Sequence, residues 1–396
     1  MFTRRRIFII ILGLLVIGLL LIGLRFLFQG KASPSPGTKP NFIGRILGLT
    51  PPPPPPTTPP AETPPQGTPP PTPGVPPAEQ TLLQLTSFPV ISPSLNPKEN
   101  KILFYKKEGG DLMMSGFNGE EQQKIANLTI IGLIDAQWGP ARDRAAVRYL
   151  DKDTIKSFLH IGTSTVVLLP QDITSISWSP DKTGLVYTKE DNGKLNVVVT
   201  DNKGSNGRVI AAVPLPDAHA RWITKNDIEL LTAPSGLAEG YAFFLNRKTG
   251  NLRKVIGPRF GLLTSWAPDG SGALVFSTRR GGKEPLLEYY DAKRGTLEIV
   301  NFITLPEKCA WASAKEIYCA VPRNIGPEQV WPDDYLRGAL LTIDARIHYS
   351  VNSKAATIVQ DNGIFDSNDL RGDKNQKFLF FIDRRDGTLW RIKLKQ

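Results

Sequence analysis

Short apolar runs recur along most of the chain, each closing on tryptophan and each followed by a tight cluster of turn-forming residues. Trp138, Trp178, Trp222, Trp266 and Trp311 stand 40 to 45 residues apart. The segments "SWSPDKTGLVYT" (177–188) and "SWAPDGSGALVFST" (265–278) are the clearest copies. Weaker copies fall at 91–105, with Pro97 in the turn, and at 365–390, with the turn near Gly372. Within a unit the apolar strand and its turn lead into a β-rich run, a loop, a third strand and a fourth. Strands of four to six residues punctuated by turn residues predict antiparallel all-β structure. Seven such units, six near 44 residues and the sixth nearer 58, predict a seven-bladed β-propeller of four-stranded blades across residues 81–396.

The turn has a physical reading. In "WSPDK" and "WAPDG" proline occupies the position a type I turn prefers, and Asp with Lys or Gly completes the reversal. The tryptophans are expected to cover the gap between neighbouring sheets; a ligand-binding aromatic stripe is the other reading. The last unit shows three strands before the chain stops, and an unassigned strand, "TLLQLTS" (81–87), precedes the first. Pairing the two would close the ring and leave no open edge.

The "WSPDK"-type turn followed by a strand such as "GLVYT" or "ALVFST" resembles the repeat of TolB-like propellers, the WD40-like PD40 repeat. The resemblance covers about residues 85–395 and is best in units three and five. It implies a bladed propeller that acts outside the cytoplasm as a protein-docking surface. Units four and six lack the Pro-Asp pair, and an anchor and spacer stand where TolB has its N-terminal domain.

Ahead of the repeats, residues 7–24 are all apolar or glycine, and Arg4, Arg5 and Arg6 precede them. Such a run is near the lower limit for crossing roughly 30 Å of hydrocarbon. A transmembrane signal-anchor is expected over 7–28, with residues 1–6 cytoplasmic and the remainder outside. A cleaved signal peptide is the alternative, for which Gly30-Lys31-Ala32 is a poor cleavage site. Residues 29–80 read as a proline-rich linker: 16 prolines fall within 51–77. Proline excludes helix and sheet there, and polyproline II at about 3.1 Å per residue would span roughly 80 Å. A docking ligand of PxxP type is the other reading.

Charge changes little. The formal net charge is +11, and residues 1–80 hold seven of the 48 basic groups against two acidic ones. The repeat region is nearly balanced, so no nucleic-acid partner is expected.

Candidate chemistry is sparse. No nucleophile elbow, HExxH or phosphate-binding glycine loop occurs, and His160, His219 and His348 fall in different units. No cofactor and no metal site are expected, and the chain does not read as an enzyme. Cys309 and Cys319 flank a hairpin turn in "CAWASAKEIYC"; a cross-strand disulfide and two small buried residues are both open. The insertion in unit six, "PRNIGPEQVWPDDYLRG" (322–338), gathers Trp331, Asp333, Asp334 and Tyr335, and is the candidate binding site. "TRRGGK" (278–283) and "RRDG" (384–387) read as solvated loops. The function expected is a membrane-anchored scaffold or recognition module of the cell envelope, single-pass and extracytoplasmic, with a protein or cell-wall polymer as partner. The alternative is an envelope glycan or peptide hydrolase with carboxylates in the propeller channel.

Overall fold

The computed structural model describes residues 81–394. The predicted anchor (7–28) and linker (29–80) lie outside these residues. Among the described residues, no helix is long and apolar enough to cross a membrane.

The described chain is almost entirely antiparallel sheet. It opens with β1 (Leu82–Gln84). A four-stranded sheet follows, of β2 (Val90–Leu95), β3 (Ile102–Lys106), β4 (Leu112–Ser115) and β5 (Gln123–Lys124). The next holds β6 (Leu133–Trp138), β7 (Arg144–Asp151), β8 (Thr154–Ile161) and β9 (Thr165–Leu168). The third holds β10 (Ile173–Trp178), β11 (Gly184–Asp191), β12 (Lys194–Asp201) and β13 (Arg208–Val213). A seven-stranded sheet comes next: β14 (His219–Trp222), β15 (Asp227–Leu231), β16 (Glu239–Asn246), β17 (Leu252–Trp266), β18 (Gly272–Arg279), β19 (Lys283–Asp291) and β20 (Thr296–Ile299). Then come β21 (Cys309–Trp311), β22 (Glu316–Pro322), the one-turn helix α1 (Asp333–Leu336), β23 (Asp344–Ser350) and β24 (Ala355–Gln360). The last strands are β25 (Ser367–Gly372), β26 (Phe378–Asp383) and β27 (Leu389–Lys393). β1 is the fourth strand of this last sheet, pairing Leu82 with Ile392 and Gln84 with Trp390.

The long β17 is where the structure departs from the sequence pattern. Strands of four to six residues are expected, yet here 15 residues run as one strand. Its first half pairs with β16 and its second with β18, with the register slipping at Gly240/Ala242 and between Phe260 and Leu263. Gly261, at φ +65°, supplies a left-handed kink within the slip. Two units are thereby joined without a break in the ladder.

The repeated turn takes one form. Lys182 N–H donates to Ser179 O at 3.0 Å and Gly270 N–H to Ala267 O at 2.9 Å; Glu99, Arg142 and Gln376 close the same bond to Asn96, Gly139 and Asp373. All five closing residues have positive φ, so the glycine of the best copy fits the position that costs other residues most.

The tryptophans bridge from each sheet to the one before it. Trp138 Nε1 donates to Ser92 O at 2.7 Å, Trp178 to Gln137 O at 2.8 Å and Trp311 to Ser265 Oγ at 3.1 Å. Trp266 donates to the buried carboxylate of Glu229 at 2.7 Å. Trp222 is equally buried, but its backbone N–H makes the cross-sheet bond, to Ser177 Oγ at 3.0 Å. Each bridge satisfies a polar group that close packing of two sheets would otherwise strand.

Candidate functional site

The first strands of successive sheets face a shared cavity of about 610 Å³. Gln137 (β6), Ser177 (β10), His219 and Arg221 (β14), Leu263 (β17) and Arg371 (β25) line it, with Glu307 from the 3-10 turn before β21. A second cavity of about 570 Å³ shares Gln137 and Arg371 and adds Ser92, Asp135, Arg142 and Asp369.

Most charges on this wall are already paired. Arg148 Nε donates to Asp135 Oδ1 at 2.9 Å and its Nη2 closes the fork on Oδ2. Arg371 Nη2 meets Asp369 Oδ1 at 2.6 Å. Arg221 lies 3.5 Å from Glu229. Burial pushes the Asp369 carboxyl above its usual range, and nearby Asp135 adds to this against the pull of Arg371. His219 is exposed to the cavity, yet the enclosing wall displaces bulk water and, with Arg221 and Arg148, holds it below the usual imidazole value. Glu307 has no hydrogen bond or ion pair among the described residues. It is open to the cavity, but the enclosing wall displaces bulk water and pushes its carboxyl up, against the pull of Arg221 and Arg384. The wall thus offers guanidinium edges, amide and hydroxyl groups and one loosely held acid, a surface suited to hydrogen-bonding an extended chain. Among the described residues no group of three or more His, Cys, Asp and Glu is placed to hold a metal ion.

The insertion after β22 is braced as a strut against the loops after β15 and β18. Trp331 and Tyr335 are buried, with ring planes 13° apart and centroids 6.1 Å apart. Asp333 accepts from Ser235 Oγ at 2.8 Å and from Gly236 N at 2.7 Å, in the loop after β15. Asp334 accepts from Val330 N at 2.7 Å and pairs with Arg337. Trp331 N–H donates to Gly282 O, and Gly282 N–H to Gly236 O. Three chain segments cross there: a Cβ on Gly236 would sit 2.3 Å from Trp331 O and 2.4 Å from Gly282 Cα.

The four predicted site residues are therefore brought together, but their polar atoms and rings are engaged within the fold. The insertion turns Leu336 outward together with Arg323, Glu328 and Arg337, and Leu341 and Ile343 after it, Leu237 beside the Asp333 contact and Ile364 before β25 are also exposed. These positions follow no helix or strand period and carry no signal in the sequence.

The two basic turns are not simply solvated. Lys283 Nζ donates to Pro327 O at 2.8 Å, and Arg384 stacks over the Tyr335 ring at 4.2 Å and donates to Tyr335 O at 2.7 Å, both bracing the insertion, while Arg385 donates to Thr342 O at 2.7 Å just beyond it. Cys309 and Cys319, paired across β21 and β22, are joined in a disulfide. His160 Nδ1 meets Tyr105 Oη at 2.9 Å and His348 meets Glu316 at 2.8 Å.

Comparison with known structures accords with this architecture. An oligogalacturonate lyase in complex with manganese superposes with a TM-score of 0.57 at 12% identity, covering 80% of this chain and 93% of that one. An oligogalacturonate lyase from Vibrio parahaemolyticus gives 0.57 at 11% identity, covering 80% and 94%. The fold is a β-propeller. TolB from Acinetobacter baumannii aligns with a TM-score of 0.46 at 12% identity over 69% of this chain; the chain spans 64% of that protein's length. At these identities the likeness is one of fold alone. No protein-family model matches the sequence, and no curated protein matches it. The manganese of the first lyase finds no matching cluster of donors among the described residues.

Proposed function

We propose that this chain is a membrane-anchored, extracytoplasmic recognition module of the cell envelope, built as a seven-bladed propeller that docks a protein partner on its insertion-bearing face. Dividing the seven-stranded sheet at the Gly261 kink of β17 supports a count of seven blades, with β1 completing the last. The apolar run at 7–24 supports the anchor, and the arginines before it support the orientation.

The observation that carries the reading is a set of exposed aliphatic side chains, Leu237, Leu336, Leu341, Ile343 and Ile364, on and around a braced support. Leu237 and Ile364 are about two-thirds exposed, although the loops beneath are fixed by buried hydrogen bonds and stacked rings. Apolar side chains held out on a braced surface are suited to a partner that buries them. Catalysis is less well served, because Asp135 and Asp369 are each neutralised by an arginine rather than free as an acid–base pair. The alternative, a hydrolase acting on envelope glycans or peptides, would have to work through Glu307.

The test is crosslinking of the full chain in its native envelope, followed by mass spectrometry of what is recovered. A discrete protein recovered with the wild type and lost with a Leu336→Asp/Leu341→Asp double variant supports docking. Recovery unchanged by the double variant, or glycan fragments only, contradicts it.

A further inference from the structure

A pocket of about 250 Å³ lies where the third sheet meets the next, at the end that carries the repeated turns. Thr183, Thr200 and Arg208 line it from the third sheet and its turns, Trp222 from the end of β14, and Arg247 from the turn after β16. It shares no lining residue with the two cavities faced by the first strands, or with the insertion.

Its two arginines are uncommitted. Neither Arg208 nor Arg247 makes a side-chain hydrogen bond or ion pair among the described residues. Arg247 lies over the Trp222 ring, its guanidinium carbon 5.4 Å from the centroid. One sheet earlier, by contrast, Arg142 meets Glu99 at 2.6 Å and Arg144 meets Asp143 at 2.8 Å. Arg144, at the head of β7, also donates across the sheet junction to Asn202 O at 2.9 Å. Gly184 stands at the head of β11 and has no side chain to reach across the next junction. The wall also holds an orphaned donor. Trp222 is 5% exposed and its Nε1 has no hydrogen-bond partner, whereas Trp138, Trp178, Trp266 and Trp311 all donate theirs. Asp181, in the turn before β11, is close enough to feel Arg247. Its Oδ1 already accepts from Ser179 Oγ, from Thr183 Oγ1 and from Thr183 N. These hydrogen bonds, more than Arg247, hold its carboxyl below the usual carboxylate range.

We propose that this pocket binds a phosphodiester group, gripped between the guanidiniums of Arg208 and Arg247. The two arginines reach it from different sheets. A planar carboxylate is satisfied by one guanidinium fork, whereas a tetrahedral phosphate presents oxygens to donors on two sides. Charge selects the ester. Two guanidiniums less the Asp181 carboxylate leave a single net positive charge, which a phosphodiester monoanion neutralises; a phosphomonoester, at about −1.5 to −2, exceeds it. Val199, Ile210 and the Trp222 ring give the carbon substituents an apolar wall. Thr183 and Thr200 already donate their hydroxyls within the chain, to Asp181 Oδ1 and Asp201 O, so the arginines carry the recognition. A phospholipid headgroup and a phosphodiester-linked polymer both present this group.

The test is calorimetric titration of the full chain, in an uncharged detergent, with glycerophosphoglycerol, a soluble phosphodiester. Saturable binding is expected, with acetate at the same ionic strength binding more weakly. Arg208→Gln and Arg247→Gln should each weaken ester binding roughly tenfold, the loss of one charge-assisted hydrogen bond. Arg253→Gln, which removes an exposed arginine stacked over Phe244 outside the pocket, should leave it unchanged. Dihexanoylphosphatidylglycerol is titrated alongside: binding tighter than that of the soluble ester assigns the site to a lipid headgroup, and equal or weaker binding assigns it to a polymer. A thermal melt checks that each variant is folded, and the comparison of ester with acetate on the wild type stands by itself if one is not. No binding to the folded wild type, acetate binding as tightly as the ester, or the same affinity in all three variants would overturn the proposal.

Discussion

Trp266 Nε1 donates to Glu229 Oε1 at 2.7 Å, with the carboxylate completely buried between β15 and β17. The same oxygen accepts from Thr264 Oγ1 at 2.8 Å, and the other faces Arg221. Both hydrogen bonds fall on Oε1, while the buried Oε2 has no hydrogen-bond partner and only the Arg221 guanidinium at 3.5 Å. Glu229→Ala strands a buried indole N–H and a buried hydroxyl, and is expected to cost about 3 kcal/mol. Glu229→Gln keeps an acceptor for the indole and should cost about 1 kcal/mol. Urea unfolding of the two variants checks the order; equal losses would mean that the strut is packing alone.

Residues 81–87 supply β1, and Leu389 N–H donates to Thr86 Oγ1 at 3.0 Å beyond the paired register. Removing the segment exposes the edge of β27 and opens the ring. Its deletion should lower the melting temperature by many degrees and promote self-association through the freed edge. An unchanged transition would contradict closure of the last blade by this strand.

Gly236 is where the loop after β15, the Gly282 turn and the insertion cross. Gly236→Ala places a methyl against Trp331 O and Gly282, all backbone, so the insertion must shift. Hydrogen exchange should rise across 323–343 while the β6–β9 sheet stays protected. Uniform protection would show that the crossing is looser than its distances indicate.

Burial holds His160 below its usual value of 6.5. The unfolded chain then binds a proton that the folded one refuses, so stability from this group is present above about pH 6.5 and declines as pH falls toward the folded pKa. The wild type should lose stability between pH 7 and pH 5 more steeply than His160→Gln. Parallel profiles would assign the acid sensitivity elsewhere.

How much of this was legible in the sequence depends on whether local or distant contacts made the feature. The Trp-turn repeat announces itself because turn chemistry is local: Ser179–Lys182 and Ala267–Gly270 close the same hydrogen bond that their residue types favour. The continuous β17 was not legible, because the repeat predicts strands of four to six residues, and cross-strand pairing carries this one through Gly257, Pro258 and Gly261. The gathering of Trp331, Asp333, Asp334 and Tyr335 was visible, but not their employment as a strut. That follows from Ser235, Gly236 and Asp366, which are distant in sequence. Arg384 was misread as solvated for the same reason: nothing near it shows that Tyr335 lies under its guanidinium. Glu307 and His219 sit beside the first strands, and aligning the units on their tryptophans would have shown that those strands face one another.

The most direct measurement of docking on the insertion face is photo-crosslinking in the native envelope. A photoreactive residue at Leu336 would be compared with one at Lys182, in a turn at the opposite end of its sheet from the loop after β11. A single discrete crosslinked protein from position 336 and none from 182 is the predicted result. Equal crosslinking from both positions, or none from 336 while the protein is folded and present, would contradict it.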